Sequence, residues 1–413
     1  MTSHACCSRR QFLGGALAAG TSAALIDASF VRAADVPAGE PKPAQFLRKI
    51  KLGLIGCGGR GPWLTEFFQR HGGYQIHAVA DYFDASAQQT GDRLGVDKKR
   101  RFSGLAGHKR LLESGVEAVV VVNVPRFHAE HARAAIDAGC HVYAAKPVAV
   151  DVPRAMAALE AGKLATQKKL CYLVDYQMAT DPVNIEVVRR VHEGGIGRLM
   201  HIESSGISPP WSEPEVTNSE DRLRSGRWLS TIALSGDVIV ENNIHIINAV
   251  HWLVGRRPVN AIGRSRIGRK NPRDDYREVY HLTYEFDDGL VWTHIGQSLN
   301  NQEDWALGLR AFGELATAVV NYRGKSYLHG GPKHYGARNV ESLYDQGAIR
   351  NIATFYENII RGRFDNPTVQ NAVDDVLTAV LGREAAMRRG CVTMEELLKE
   401  NKETTFDLSG LKA

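Results

Sequence analysis

In the first half of the chain, short apolar runs alternate with helix-periodic segments. Lys51–Ile55 and Tyr74–Ala80 are strand-like, and Pro62–His71 between them carries helical spacing. Ala118–Val122 is apolar throughout, as a parallel strand covered on both faces must be. His128–Ala138 then reads as a helix closed by Gly139 and His141–Ala144 as a strand. Val152–Gln167 reads as a helix that Asp151 can cap, and Leu170–Val174 as a further strand. Regular βα spacing predicts an open parallel sheet, with ligands held beyond the C-terminal ends of its strands. Three segments fall at such ends: Asn123–His128, Ala145–Pro147 and Asp175–Gln177.

The second half changes period. Val279–Phe286 alternates apolar and polar residues, Asp287-Asp288-Gly289 turns, and Leu290–Ile295 returns. This predicts a hairpin in which His281 and His294 are sheet residues. Ile246–Leu253 is a helical run stopped by Gly255, Ile349–Gly390 is helical and amphipathic, and Thr393–Asn401 reads as a short final helix. Pro209–Ser230, rich in Pro, Ser, Glu and Arg, reads as a long loop. Loops of that length in compact domains are often functional. Its Trp211, Trp228 and arginines would suit a sugar ring, and simple loop packing is the alternative.

Composition narrows the picture. A chain of 413 residues accommodates two domains. The net charge of +5 is mild, and the densest basic run, Lys98–Arg101, has no interleaved aromatics, so no nucleic-acid partner is expected. Cys57, Cys140, Cys171 and Cys391 are scattered without a CxxC pair, which argues against a zinc cage or a dense disulfide framework. Disulfide pairing among them stays open on sequence alone.

Ser8-Arg9-Arg10-Gln11-Phe12-Leu13 precedes a weakly apolar stretch, Gly14–Ile26, and the small-residue site Val31-Arg32-Ala33. This is the pattern of a twin-arginine signal, read by the twin-arginine export machinery and cleaved near Ala33/Ala34. The stretch is shorter than the roughly 20 residues a bilayer span needs, and no later segment reaches that length. The expectation is a periplasmic or otherwise exported protein with no stable membrane span. The domains expected are a signal at 1–33, a linker at 34–49, a cofactor domain at 50–175 and a substrate and oligomerisation domain at 176–413.

Gly56-Cys57-Gly58-Gly59-Arg60-Gly61 lies between the first strand and the first helix, the context a dinucleotide fingerprint requires. Gly56 permits the turn, Gly58 and Gly59 let backbone approach a diphosphate, and Gly61 permits close helix packing. The helix N-terminus favours phosphate, and Arg60 can add a charge-assisted contact. Asp81 ends the second strand where a ribose-binding carboxylate is expected. Tyr82, not Arg, follows it, which favours NAD over NADP. The alternative for Asp81 is a cap on the helix starting near Asp84. Asn123, Pro125 and His128 are further cofactor-contact candidates, His128 equally a plain helix-start residue. Lys146 is the strongest chemical candidate, since a lysine beside the nicotinamide stabilises a developing alkoxide. Tyr176 is a candidate proton donor or acid/base, with packing at the domain junction as its alternative. Glu241, His245 and Asn248 fall at i, i+4 and i+7, so on one helix they share a face, where the carboxylate can orient His245 as a base. A metal site from Asp237, Glu241 and His245 is not expected.

GCGGRG, Asp81, NVPRFH, AGCHVYAAKP and ENNIH together resemble the Gfo/Idh/MocA family, the glucose–fructose oxidoreductase and inositol dehydrogenase group, from Lys51 to about Asn401. The resemblance implies an α/β chain. A Rossmann doubly wound parallel sheet comes first, then an α+β domain with a large, mostly antiparallel open sheet through which homo-oligomers often form. The family's Glu-Lys-Pro is Ala145-Lys146-Pro147 here, and its Asp-x-x-x-His maps onto Glu241 and His245. Three functions follow as expectations. The first is an exported NAD-dependent oxidoreductase that acts on a sugar or cyclitol and holds its cofactor tightly. The second is a redox-neutral NAD-dependent glycosidase, since SGDVIVENNIH after an Arg-rich loop also resembles the branch with NAD-dependent N-acetylgalactosaminidases. The third is a non-catalytic, NAD-containing sugar-binding protein.

Overall fold

The computed structural model describes residues 46–413. The twin-arginine motif and its cleavage site lie outside the described residues.

The apolar runs become a six-stranded parallel sheet in the order β3-β2-β1-β4-β5-β6. Its strands are β1 (Ile50–Ile55), β2 (Tyr74–Asp81), β3 (Arg101–Ser103), β4 (Ala118–Val121), β5 (His141–Ala145) and β6 (Tyr172–Asp175). Helices α1 (Arg60–His71), α2 (Asp84–Leu94), α3 (Gly107–Glu113), α4 (His128–Asp137) and α5 (Val152–Gln167) connect them. β4 is buried at every position, as a strand covered on both faces requires. Asp151 caps α5 by accepting the Arg154 N–H.

After α6 (Pro182–His192) the chain enters a nine-stranded sheet, in the order β14-β13-β12-β11-β7-β10-β9-β8-β15. The strands are β7 (Leu199–Ser208), β8 (Asn260–Arg266), β9 (Val279–Glu285), β10 (Val291–Ser298), β11 (Ala306–Gly313), β12 (Ala316–Asn321), β13 (Gly324–Gly330), β14 (Tyr335–Val340) and β15 (Cys391–Thr393). β7 and β10 pair in parallel, while the β9–β10 hairpin and the other pairings are antiparallel. One face of this sheet is covered, with Trp292, Tyr280 and Tyr284 fully buried; the other leaves Ile262, Val291 and Ile295 exposed.

Three features differ from the sequence reading. The C-terminal helical stretch is two helices, α8 (Leu343–Arg361) and α9 (Pro367–Arg388), because Gly362 adopts a left-handed φ of 68° and Pro367 starts the next helix. Those helices return to the first domain, so the 175/176 boundary is crossed. Ala348, Ile352, Phe355 and Ile359 of α8 belong to the same core as Ile50, Leu52, Leu54 and Phe68. The end of the expected linker also packs: Phe46 meets the Tyr356 ring edge-on at 5.1 Å, and Arg48 pairs with Glu117. Phe355 is fully buried in that layer. Phe355→Ala is expected to cost ~3–5 kcal/mol of stability, read as a lower urea midpoint. An unchanged midpoint would mean that α8 does not complete this core.

Candidate functional site

The glycine turn has the shape its residues imply. Gly56 sits at φ 108°, and a Cβ there would meet the Asn123 backbone N at 2.6 Å. A Cβ at Gly61 would meet the Gly56 carbonyl oxygen at 1.9 Å, so α1 packs against the turn only with glycine at this position. At Gly59 a Cβ would meet nothing within 4 Å, and no side chain caps the start of α1. The turn therefore offers open backbone and free N–H groups to a diphosphate. Asp81 stands at the end of β2, accepting the Cys57 N–H at 2.7 Å and the Phe83 N–H at 2.9 Å. Burial pushes its carboxyl pKa up, while those two bonds pull it down. Asn123, at the end of β4, has a buried Oδ1 without a hydrogen-bond partner. A cradle that needs glycine at two positions, a carboxylate at the ribose position and an orphaned acceptor at the next strand end fit a dinucleotide.

Arg60 and His128 have other partners than expected. Arg60 turns from the phosphate side to the end of β6, where its Nη2 lies 2.7 Å from Asp175 Oδ2 and its guanidinium 5.0 Å from the ring centroids of both Trp63 and Tyr344. The buried Asp175 carboxylate draws it there. His128 is 1% exposed; its ring nitrogens lie 2.7 Å from the Pro147 carbonyl and 2.8 Å from the Asn123 carbonyl. It bridges the two loops, with both ring nitrogens engaged. Pro125 opens a buried turn just before it.

Lys146, at the end of β5, donates to the Glu241 carbonyl at 2.5 Å and to its Oε1 at 2.9 Å. Glu241 therefore serves Lys146, not His245, and supplies the carboxylate that Ala145 lacks. The reason is a break in the expected helix. Glu241 ends a one-turn helix, Val238–Glu241, while His245 lies in α7 (Ile244–Val254), with a turn at Asn242-Asn243 between. Asp237 fixes that first turn at φ 82°, fully buried, accepting from the Tyr280 hydroxyl and the Val238 and Arg277 N–H groups. Burial raises its carboxyl to about 6. Asn248 leaves the cleft and donates to Asp375 of α9 at 2.8 Å.

His245 is half-buried, its ring centroid 6.5 Å from that of Tyr176 and 5.3 Å from that of Tyr322. Its Nδ1 has no hydrogen-bond partner. Burial, then the charges of Lys146 and Arg60, hold its pKa well below the ordinary histidine value, so the imidazole is neutral and can accept a proton. Tyr176 is less available than expected. Its hydroxyl is buried without a hydrogen-bond partner, and burial and the Asp375 carboxylate push its pKa up. It packs at the domain junction, its ring perpendicular to that of His245.

Sequence reasoning missed Asp175, Asn351, Tyr322 and Trp305. Asn351 of α8 donates to Asp175 Oδ1 at 2.8 Å and to the Tyr176 carbonyl at 2.9 Å, holding the end of β6. The Tyr322 hydroxyl donates to Gln177, and Trp305 meets the Tyr322 ring edge-on at 5.2 Å with Arg323 above it. Only the position of Asp175 at a strand end was visible in the sequence. Among the described residues no group of three His, Cys, Asp or Glu side chains is arranged to hold a metal. Cys57, Cys140 and Cys171 are buried unpaired thiols. No described helix is long and apolar enough to cross a membrane.

Residues 50–176 match the family model for Gfo/Idh/MocA, an oxidoreductase family with an NAD-binding Rossmann fold. A myo-inositol dehydrogenase of Streptomyces leeuwenhoekii is 26% identical over 215 residues, covering 52% of this chain and 58% of the relative. A glycosyl hydrolase family 109 protein of Porphyromonas gingivalis is 28% identical over 170 residues, covering 39% of this chain and 35% of the relative. The chain thus spans little more than half, or less, of the length of these relatives. Among solved structures, an inositol dehydrogenase homologue from Azotobacter vinelandii, complexed with NAD+, superimposes with a TM-score of 0.70 at 17% identity, covering 86% of this chain and all of the other.

Proposed function

We propose that this chain is an NAD-dependent enzyme that oxidises a hydroxyl of a sugar or cyclitol, a reading supported by the match of residues 50–176 to the Gfo/Idh/MocA oxidoreductase family model. The observation that carries this reading is the pairing of Lys146 with Glu241 beside a neutral His245, at the strand ends next to the glycine turn. Bound NAD supplies the hydride chemistry. Lys146 holds the reacting oxygen and offsets its growing negative charge. Glu241 keeps the ammonium aimed, and His245 takes the hydroxyl proton. Trp305 and Tyr322 give the cleft aromatic faces suited to a sugar ring.

A second reading is a redox-neutral glycosidase, favoured by the likeness to a family 109 glycosyl hydrolase. Oxidation two carbons from the anomeric centre would acidify the ring C–H between them. His245 would remove that proton as the aglycone leaves the anomeric carbon, water would add across the resulting double bond, and return of the hydride to the carbonyl would leave bound NAD in its starting state. This suits an exported protein with trapped NAD, the location that the Arg9-Arg10 signal proposes. Assembly through the open sheet face, where Ile262, Val291 and Ile295 are exposed, completes the proposal.

Incubating the purified protein with free sugars, cyclitols and aryl glycosides, without added NAD, tests both readings. Reduction of bound cofactor supports the dehydrogenase, and aglycone release without net NADH supports the glycosidase. No turnover across the panel would sink both and leave an NAD-containing binding protein.

A further inference from the structure

The loop between β7 and α7 reaches the cofactor domain. A Cβ at Gly58 would meet only Ser225, its Oγ at 3.6 Å and its Cβ at 4.0 Å. The next residue back, Arg224, pairs with Asp221 at 3.2 Å and places its guanidinium 4.6 Å from the ring centroid of Phe83, just beyond Asp81. The loop is braced from within. Arg227 pairs with Asp221 at 2.6 Å, Arg222 pairs with Asp274 at 2.6 Å, and Asn218 accepts the Asp221 N–H at 2.8 Å. Ser225 is therefore presented by a held backbone.

A second segment, residues 403–413, meets this loop along the strand-end side of the same domain. Glu403 pairs with Arg154 at 2.6 Å, and the Thr404 hydroxyl donates to Asp151 at 2.8 Å. Further on, the Lys412 N–H donates to the Tyr82 hydroxyl at 3.1 Å, and the Lys412 carbonyl accepts the Leu105 N–H at 3.0 Å. Lys412 Nζ lies 3.8 Å from Glu220 of the loop. The two segments thus flank the glycine turn and the end of β2, on the side where the diphosphate and the adenosine half of a dinucleotide belong.

We propose that residues 213–227 and 403–413 form a two-part lid over the dinucleotide site, in which the Ser225 hydroxyl faces the diphosphate above Gly58 and Arg224 adds the cation. The lid slows cofactor release, because the dinucleotide leaves only after the Arg224–Phe83 contact and the Lys412 contacts part. The inference rests on the NAD reading of the glycine turn and gives it a physical cause for retention.

The test is cofactor exchange on the full chain loaded with NAD, chased with excess etheno-NAD and followed by fluorescence. Arg224 is 54% exposed at its side chain, and Arg227 and Asn218 still hold Asp221 in Arg224→Ala; the melting temperature of the NAD-stripped protein checks that the loop stays folded. Loss of one charge-assisted contact is expected to speed release about tenfold or more. Ser225→Phe, which fills the space over Gly58, is expected to weaken NAD binding by a similar factor in a titration. Wild-type release and affinity in both variants would overturn the lid. A wild-type protein that takes up no NAD would overturn instead the cofactor reading on which the lid rests.

Discussion

Lys146→Met is expected to lower kcat by ~10²–10³-fold, the usual loss when one donor to a developing oxyanion is removed, while the purified protein keeps its NAD. The split follows from geometry. The ammonium lies at the end of β5, held by the Glu241 carbonyl and carboxylate, whereas the glycine turn, Asp81 and Asn123 belong to other strand ends. Glu241→Gln keeps the shape and the backbone contact but removes the charge. Lys146 then keeps both acceptors but loses the carboxylate's charge, and kcat is expected to fall by about tenfold, the worth of ~1.4 kcal/mol. Steady-state rates on whichever substrate turns over, with the nicotinamide content of the same preparations, check both. A fully active Glu241→Gln enzyme would show that the carboxylate does not position the lysine. NAD lost together with activity in Lys146→Met would make the lysine a cofactor anchor.

This pair also marks where the sequence stops being legible. Alternation of apolar runs and helical spacing is a local signal, and it located β1, β2, β4, β5, β6 and the glycine turn because each of those strands' environment is written into its own residues. The three-residue β3 at Arg101–Ser103 has no such apolar run and was missed. Lys146 was visible because it follows an apolar strand. Its partner was not, because Glu241 lies far along the chain and the four-residue spacing to His245 suggested one helix. The break at Asn242-Asn243 lies where tertiary contacts hold the chain: Asn243 donates to the Gly206 carbonyl and its Oδ1 lies 3.1 Å from His294 Nε2, while Asp237, at positive φ, accepts from Tyr280. Arg60 is a parallel case: next to a phosphate-binding turn its charge suggested phosphate, yet the buried Asp175 holds it. The apolar face of α8, with Ala348, Ile352, Phe355 and Ile359 at helical spacing, announced burial but not against what. That it covers the first domain is a fact of topology, which periodicity does not carry.

His245→Gln is expected to reduce kcat by ~10²–10⁴-fold, the range for loss of a positioned general base. The pH profile separates this role from a structural one. Burial and the Lys146 and Arg60 charges oppose protonation of the ring, so its pKa lies well below the ordinary histidine value. Activity that needs the neutral imidazole therefore persists as pH falls through the normal histidine range. It declines only when the ring gains its proton at lower pH. His245→Gln should lack that acid limb, since glutamine does not titrate. In Lys146→Met one of the charges opposing protonation is gone, so the limb of the residual activity should move to higher pH. These shifts have opposite meanings for a packed, non-reacting histidine, whose replacement would lower the melting temperature and leave the acid limb where it was. Rate profiles of wild type, His245→Gln and Lys146→Met over the acid range, beside their melting temperatures, decide it. An acid limb in His245→Gln that coincides with that of the wild type would remove His245 from the proton path and leave Lys146 to act with another base.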